Sequence, residues 1–202
     1  MTGTVGSGLD VVQVSPAAYL CEVDDGWVPF EHLLLVSEWL VDVAMGRKRR
    51  VIITLPPGYG KSTLISAGFV SWLMGGFPGH RVLLASHEAG LAQYWSAQAR
   101  DMTAEHGPRF FNVGVDPDNS PKHWWHTIDA TTGRQNGGYV AASGIGGSIT
   151  GRRANVFVVD DPVKDAADAN SDKIREAHKE WFKSVVRGRL LPGGAIVILM
   201  TR

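Results

Sequence analysis

The stretch LPPGYGKS at residues 55–62 decides the fold, because it joins a short apolar run to a helical pattern through a glycine-containing turn. The preceding run, Arg50–Leu55 (RVIITL), is rich in apolar and β-branched residues, which is typical of a buried parallel strand. The following residues predict a helix over about 61–74, ended by Gly75, Gly76 and Pro78. A strand, a glycine turn and a helix in this order form the setting in which backbone N–H groups bind phosphate.

The loop matches only part of the phosphate-binding motif G-x-x-x-x-G-K-[ST]. Its last part, GKST at residues 60–63, fits fully, whereas Leu55 replaces the first glycine. Lys61 is expected to contact the β- and γ-phosphates of ATP, and the Ser62 hydroxyl is expected to bind Mg²⁺. The alternative is a fortuitous G-K-S sequence after a strand. The predicted ATP-binding residues are Pro57, Gly58, Tyr59, Gly60, Lys61, Ser62 and Thr63.

Two adjacent acids follow the most convincing strand pattern of the chain, VFVV at residues 156–159. Asp160 is predicted to hold Mg²⁺, and Asp161 to polarise the attacking water as a general base. In the alternative interpretation, Asp161 and Pro162 open a turn and only Asp160 is functional. A phosphate loop and a strand-terminal acid pair, each with the right flanking pattern, together indicate a P-loop NTPase.

Three further residues are candidates for the chemistry. Thr201 follows a predicted strand at 195–200, which in P-loop folds runs beside the strand that carries the acids. A polar side chain there would sense the γ-phosphate, although Thr201 is equally well interpreted as an ordinary strand end. Arg152 and Arg153 follow a Gly-rich segment and would supply the cation that stabilises charge during phosphoryl transfer. Their alternative role is surface charge on a turn.

The remaining pattern alternates strands and helices, which predicts a parallel sheet covered on both faces. We predict the fold class as α/β, a three-layer P-loop NTPase sandwich (RecA/ASCE-like) with a mostly parallel central sheet. Residues 1–26 are predicted to be an irregular N-terminal lead-in, and residues 27–202 to be the ATPase domain. Residues 107–136 predict little regular structure apart from a strand near 124–128. Further strands are predicted at 81–86, 138–143, 156–160 and 195–200, and further helices at 29–45, 88–105 and 172–186.

Composition narrows the class of protein. The 202 residues include 20 basic and 20 acidic side chains, so any contact with nucleic acid is expected from a local patch rather than from a general basic excess. A single cysteine, Cys21, excludes an internal disulfide framework and a cysteine-rich zinc site. The sequence has no apolar run of about 18 residues and no pattern of a signal peptide, so we expect no membrane partner.

From about Trp27 to its end, the sequence resembles the ATPase domain of the large terminase subunit of tailed double-stranded DNA bacteriophages. The resemblance rests on several motifs in the same order. They are PPGYGKS (56–62), FVSWLMGGFPGHRVLLAS (69–86), SGIGGSITGRRANVFVVDDPVKD (143–165), RLLPGG (189–194) and ILMTR (198–202). This combination is much more specific than a phosphate loop by itself.

The resemblance implies a motor that hydrolyses ATP with Mg²⁺ and drives viral double-stranded DNA into a procapsid. It implies a homo-oligomeric ring on the portal protein, a small terminase subunit as partner, and a location in the host cell cytoplasm, transiently at the portal and not in the mature virion. Lys61 and Ser62 take the places of the loop residues, and Asp160 and Asp161 those of the Mg²⁺ acid and the catalytic acid. Thr201 falls at the coupling motif.

Two further assignments come from the resemblance. Arg152 falls near the place where some relatives have an arginine finger that reaches into a neighbouring subunit. The segment that contains Trp27, Phe30 and His32 falls where the family contacts adenine.

Three departures from the family pattern matter. Relatives often carry an arginine in the phosphate loop, where this chain has Gly58 and Tyr59, which shifts the expected finger to Arg152 or Arg153. The catalytic acid is more often Glu, and Asp161 is one methylene shorter. The family's RNase H-like nuclease domain does not occur in this sequence, so no nuclease activity is expected from it. The alternatives are a fragment of a helicase-type translocase, or a truncated domain that binds nucleotide or a portal without turnover.

Overall fold

A computed structural model of the chain describes residues 12–147, 149 and 151–201. Four parts of the sequence predictions lie outside the described residues. They are residues 1–11 of the lead-in, Ser148 and Thr150 of the Gly-rich segment, and Arg202 at the end of the predicted domain.

The central sheet has seven strands in the described part of the chain, in the order β1-β7-β6-β2-β5-β4-β3. Strands β1, β7, β6, β2 and β5 pair in parallel. Strands β4 and β3 extend the sheet beyond β5 and pair antiparallel. The predicted mostly parallel α/β sheet is therefore confirmed. The strands are β1 (Arg50–Leu55), β2 (Arg81–Ser86), β3 (Val113–Val115), β4 (Trp124–Asp129), β5 (Gln135–Gly144), β6 (Ala154–Asp160) and β7 (Leu190–Thr201).

Helices lie on both faces of the sheet and enclose two apolar clusters. The larger cluster contains Leu40, Phe69 and Leu73, and the smaller one lies under Trp181, whose ring meets that of Phe157 edge-on at 5.8 Å. The helical segments are α1 (Pro16–Val23), α2 (Glu31–Ala44), π1 (Thr63–Phe69), α3 (Val70–Gly76), α4 (Ala89–Phe111), α5 (Ala166–Asn170), α6 (Asp172–Trp181), π2 (Phe182–Val186) and α7 (Arg187–Arg189). None of the helices among the described residues is long and apolar enough to cross a membrane.

The prediction of an irregular lead-in is wrong for helix α1. The Ser15 side chain caps this helix by accepting from the Ala18 N–H at 3.2 Å, and Pro16 occupies its first turn. Tyr19 and Leu20 are fully buried in the larger cluster, so α1 belongs to the packed core. The cap was visible in the sequence, but a helix this short owes its stability to packing rather than to propensity.

The prediction of little regular structure over residues 107–136 is also partly wrong. Helix α4 continues through Pro108 to Phe111 and ends at Asn112, whose φ of 55° is left-handed. Strand β3 follows, and β4 confirms the predicted strand near 124–128. Phe110 and Val113 are buried in the core, which explains why tertiary packing overrides the helix-breaking signal of Pro108.

We expect Gly107→Ala to destabilise the fold by about 3 kcal/mol, because the new methyl group would clash with backbone. A Cβ at Gly107 in α4 would lie 2.3 Å from the Val113 carbonyl oxygen. Urea unfolding followed by circular dichroism measures the change. Gly188→Ala in α7 is the matched control, since its Cβ would have no atom within 4 Å and the free energy of unfolding should not fall. Equal stabilities of the two variants would contradict this account.

Candidate active site

The candidate site lies where the carboxyl ends of β1, β7 and β6 meet. These strands are neighbours and run parallel, so the residues that end or follow them share one edge of the sheet. Leu55 pairs with Thr201, and Asp160 pairs with Leu199. The structure thus brings Lys61, Asp160 and Thr201 to the same edge, as the order of motifs in the sequence predicts.

The loop between β1 and the following helix depends on two glycines. Gly58 and Gly60 have φ angles of 79° and 75°, in the left-handed region that favours glycine. A Cβ on Gly60 would also lie 3.1 Å from a methyl group of Leu33. The Leu64 N–H donates to the Gly60 carbonyl at 3.0 Å. The N–H groups of residues 61–63 therefore precede the helical hydrogen-bond ladder and are available to an anion.

Lys61 lies buried at the start of this helix, with 7% of its surface exposed. Its Nζ is 3.4 Å from Oδ2 of Asp161, a carboxylate that is one-quarter exposed. The ammonium group therefore sits between the loop and the acid pair. It can transfer its interaction from the Asp161 carboxylate to a phosphate at the loop by a small movement of its flexible side chain.

Asp160 is almost fully buried, and two hydroxyl groups donate to its carboxylate. Ser62 Oγ donates to Oδ1 at 3.1 Å, and Ser66 Oγ donates to Oδ2 at 2.7 Å. Burial raises the pKa of Asp160 above its ordinary value, and the negative charge of Asp161 adds to this. The two serine hydroxyls and the Lys61 ammonium oppose the rise in pKa.

The donor set of Ser62 and Asp160 suits Mg²⁺, which prefers oxygen ligands. The described residues contain no group of three or more His, Cys, Asp or Glu side chains that would hold a metal by themselves. Mg²⁺ binds proteins through one or two carboxylates and completes its octahedral shell with water and phosphate oxygens. The residues present therefore fit Mg²⁺ that arrives together with a nucleotide.

We expect Asp160→Asn to gain stability relative to the unsubstituted chain as pH rises in Mg²⁺-free buffer. The folded-state pKa of Asp160 lies above the ordinary 3.8, so its favourable contribution is present below pH 3.8 and is lost as pH rises through the raised value. Asparagine carries no charge and avoids this loss. Thermal unfolding between pH 4 and pH 8 measures the difference, with exposed Asp118→Asn as control. A difference that stays constant with pH would contradict the assignment.

Asp161 has an unusual backbone and two hydrogen bonds to its side chain. Its φ is 45°, so it is left-handed without being glycine. The Thr201 hydroxyl lies 2.7 Å from Oδ1 and 2.9 Å from Oδ2, and it donates to this carboxylate. Thr201 ends β7, the strand between β1 and β6. The geometry therefore links the end of β7 directly to the acid that faces Lys61.

A cavity of about 720 Å³ opens beside the loop. Its lining combines the predicted adenine-contact residues with residues 58–60 of the glycine loop. His32 Nε2 lies 3.2 Å from the Tyr59 carbonyl, and the His32 ring is 5.9 Å from that of Phe30 at an interplanar angle of 14°. Contact with adenine stays a prediction, but the cavity has the size and aromatic lining of small-molecule sites. Its lining residues include Trp27, Phe30, His32, Leu33, Gly58, Tyr59, Gly60 and Thr63.

Arg152 and Arg153 lie at the other end of β6, away from the loop of their own chain. They precede β6, whereas Asp160 ends it, and seven strand residues separate the two ends by roughly 20 Å. The Arg152 guanidinium lies over the Trp124 ring at 4.2 Å, and the Arg153 backbone bonds to Tyr139. The structure therefore does not place either arginine at Lys61 within the chain. A role as a finger towards a neighbouring subunit stays a prediction.

Two residues of the site were missed by the sequence reasoning. Ser66 holds Asp160, and its signal was its position four residues after Ser62, which puts both on the same side of the helix. His87 bonds to the Asp161 carbonyl, and its signal was its position directly after β2, whose last residue pairs with Asp160. Their positions were recognisable in the sequence, but the contacts themselves depend on the strand pairing that the structure shows.

Comparison with known proteins agrees with this architecture. No family model matches the sequence, and no curated protein matches it. Two solved structures of the large terminase ATPase domain of Thermus Phage P74-26, one of them a point mutant, match with TM-scores of 0.60 and 0.57. Each is 14% identical in sequence and is matched over 93% of this chain and 70% of that chain. The described part of this chain, a mixed seven-stranded sheet with helices on both faces, thus shares an α/β fold with these terminase ATPase domains.

Proposed function

We propose that this chain is an ATP-hydrolysing motor domain that acts in packaging double-stranded DNA into a phage procapsid. The observation that carries the proposal is the convergence of Lys61, Asp160, Asp161 and Thr201 at one sheet edge, beside a glycine loop. The shared fold with large terminase ATPase domains supports the same class of activity. The loop is, in this proposal, a P-loop in which Leu55 replaces the first glycine of the motif.

In the proposed site the N–H groups of residues 61–63 bind the phosphates of ATP. Lys61 leaves Asp161 for the γ-phosphate and neutralises the charge that develops there. Ser62 and Asp160 would hold Mg²⁺, which would supply charge neutralisation to the phosphates of ATP. The cavity that contains Trp27, Phe30 and His32 takes the adenine base, since it continues directly from the loop.

Asp161 performs the proton transfer in this proposal. Its carboxylate accepts a proton from a water molecule, and the water oxygen forms a bond to the γ-phosphorus while the bond to ADP breaks. The products are ADP and inorganic phosphate. Thr201 donates to the same carboxylate, so a change at Asp161 would reach β7 through this hydrogen bond.

The partners belong to the proposal as well. They are viral double-stranded DNA, the portal protein, the small terminase subunit and further copies of this chain in a ring, in the host cell cytoplasm. The distance of Arg152 from the loop of its own chain supports a role in a neighbouring subunit. If so, turnover should rise more than linearly with protein concentration. A strictly linear increase would exclude the role in a neighbouring subunit.

Phosphate release tests the proposal directly. Purified protein at high concentration, with Mg-ATP and with or without double-stranded DNA, is expected to release inorganic phosphate well above a Lys61→Ala blank. Stimulation of release by DNA would support the motor function. Release no higher than that of the blank, together with retained binding of a fluorescent ATP analogue, would replace this proposal by a nucleotide-binding domain without turnover.

A further inference from the structure

His87 lies next to the acid pair, although no sequence motif points to it. It follows β2 directly, and the last residue of β2, Ser86, pairs with Asp160. The His87 N–H donates to the Asp161 carbonyl at 3.3 Å, and His87 Nδ1 lies 2.9 Å from the same oxygen. A carbonyl oxygen only accepts hydrogen bonds, so the imidazole carries its proton on Nδ1. His87 thus binds one backbone oxygen through two donors.

The peptide groups of Asp161 are fixed from two neighbouring strands. Its N–H donates to the Leu199 carbonyl in β7 at 3.0 Å, and its carbonyl accepts from His87 after β2. The residue between these contacts is left-handed, with a φ of 45°. Such a conformation is less favourable than the right-handed one for a residue with a side chain, although less so for aspartate than for most, so contacts that hold the backbone increase its population.

The left-handed turn determines where the Asp161 side chain points. In this conformation the carboxylate lies 3.4 Å from Lys61 Nζ and within hydrogen-bond distance of the Thr201 hydroxyl. A change of φ to the ordinary right-handed or extended region would redirect the Cα–Cβ bond away from both groups. The orientation of the proposed general base therefore depends on contacts to its own backbone.

We propose that His87 is a positioning residue, which holds the Asp161 backbone in the left-handed turn and so keeps the carboxylate directed at the attacking water. The inference rests on the proposed function, because it assigns Asp161 as the general base. The role assigned to His87 runs through Asp161, because Nδ1 contacts the Asp161 carbonyl at 2.9 Å and otherwise only the Ser86 hydroxyl, at 3.5 Å, among the described residues. Asparagine is the conservative replacement, because its side-chain amide also offers an N–H donor close to the backbone.

The kinetic test compares His87→Ala, His87→Asn and the unsubstituted chain. We expect His87→Ala to lower kcat for phosphate release about 10- to 100-fold, the effect of misplacing a catalytic group by about 1 Å, while the KM for ATP stays within twofold. His87→Asn should recover a large part of the lost kcat. The control is exposed His123→Ala, which should leave both constants unchanged. Unchanged kcat in His87→Ala, or no recovery in His87→Asn, would overturn the proposal.

A second measurement tests the contact between His87 Nδ1 and the Asp161 carbonyl independently of ATP turnover. Long-range ¹H–¹⁵N spectra of the full chain at pH 8 should show the His87 imidazole with its proton on Nδ1, assigned by the signals that His87→Asn lacks. A proton on Nε2 would overturn the proposal whether or not the chain hydrolyses ATP. If the Nδ1–H form is found and the unsubstituted chain releases no phosphate, the contact stands, the proposed function fails, and the catalytic consequence of His87 fails with it.

Discussion

Lys61→Ala is expected to reduce ATP turnover by about 10²–10³-fold, the usual effect of removing one preorganised group that stabilises transition-state charge. Lys61 is buried at the start of the helix that follows the glycine loop, and its ammonium group makes the ion pair that the structure shows for Asp161 among the described residues. Nucleotide affinity should also fall, because in the proposed site the ammonium group would bind phosphate in the ground state as well. Phosphate release and titration with a fluorescent ATP analogue measure the two effects separately.

The matched control for this prediction is Lys122→Ala, which removes an exposed lysine near β4. Its turnover and affinity should equal those of the unsubstituted chain. Lys61→Ala should remain folded, because Asp161 is partly exposed and keeps its hydrogen bond to Thr201. Turnover within twofold of the unsubstituted chain, in a folded Lys61→Ala protein, would remove Lys61 from the proposed chemistry.

Asp161→Asn is expected to lower kcat by about 10²–10⁴-fold while nucleotide binding is retained. Asparagine has the same shape, tolerates the left-handed backbone and still accepts from the Thr201 hydroxyl, so the structure around it should persist. It has no basic oxygen that takes a proton from water at neutral pH. The substitution therefore separates proton transfer from the binding of ATP.

Single-turnover phosphate release and the dissociation constant of an ATP analogue are the measurements for Asp161→Asn. Removing the negative charge also frees Lys61 from its ion pair, so affinity for the nucleotide should stay equal or increase. Asp118→Asn serves as the control, since Asp118 is exposed and lies outside the site. An equal loss of kcat and of affinity would indicate that Asp161 supports the loop rather than the chemistry.

Much of the fold followed from local sequence patterns. Strands β1, β2 and β6 are largely apolar runs bounded by polar residues or proline, so their positions were predicted within two residues. The short elements were not predicted. Strand β3 has only three residues, and the first part of β7 contains Pro192 and two glycines that are typical of a turn. Their pairing depends on neighbouring strands that local propensity does not describe.

The helix after the loop differs between the sequence prediction and the structure in its type. The sequence predicted a helix over 61–74, and the structure confirms one, but residues Thr63–Phe69 are π-helical. This wider segment carries Ser66, which bonds to Asp160. Segments of this kind occur frequently at functional sites. No residue in the run TLISAGF signals the wider turn, and the segment packs against α4 and α1, which lie far from it in the sequence.

The loop at residues 55–62, the acids at 160 and 161 and the threonine at 201 were recognisable from sequence alone. Each belongs to a local pattern of strand and turn, and parallel strands bring their carboxyl ends to one edge whatever the details of packing. Tertiary structure decided the rest. It brings His87 to the Asp161 backbone and Ser66 to the Asp160 carboxylate. It also places Arg152 over Trp124, away from the loop of its own chain, and the aromatic segment near Phe30 beside Tyr59. These contacts join residues far apart in the chain, and their geometry depends on strand register and side-chain direction, which local sequence does not specify.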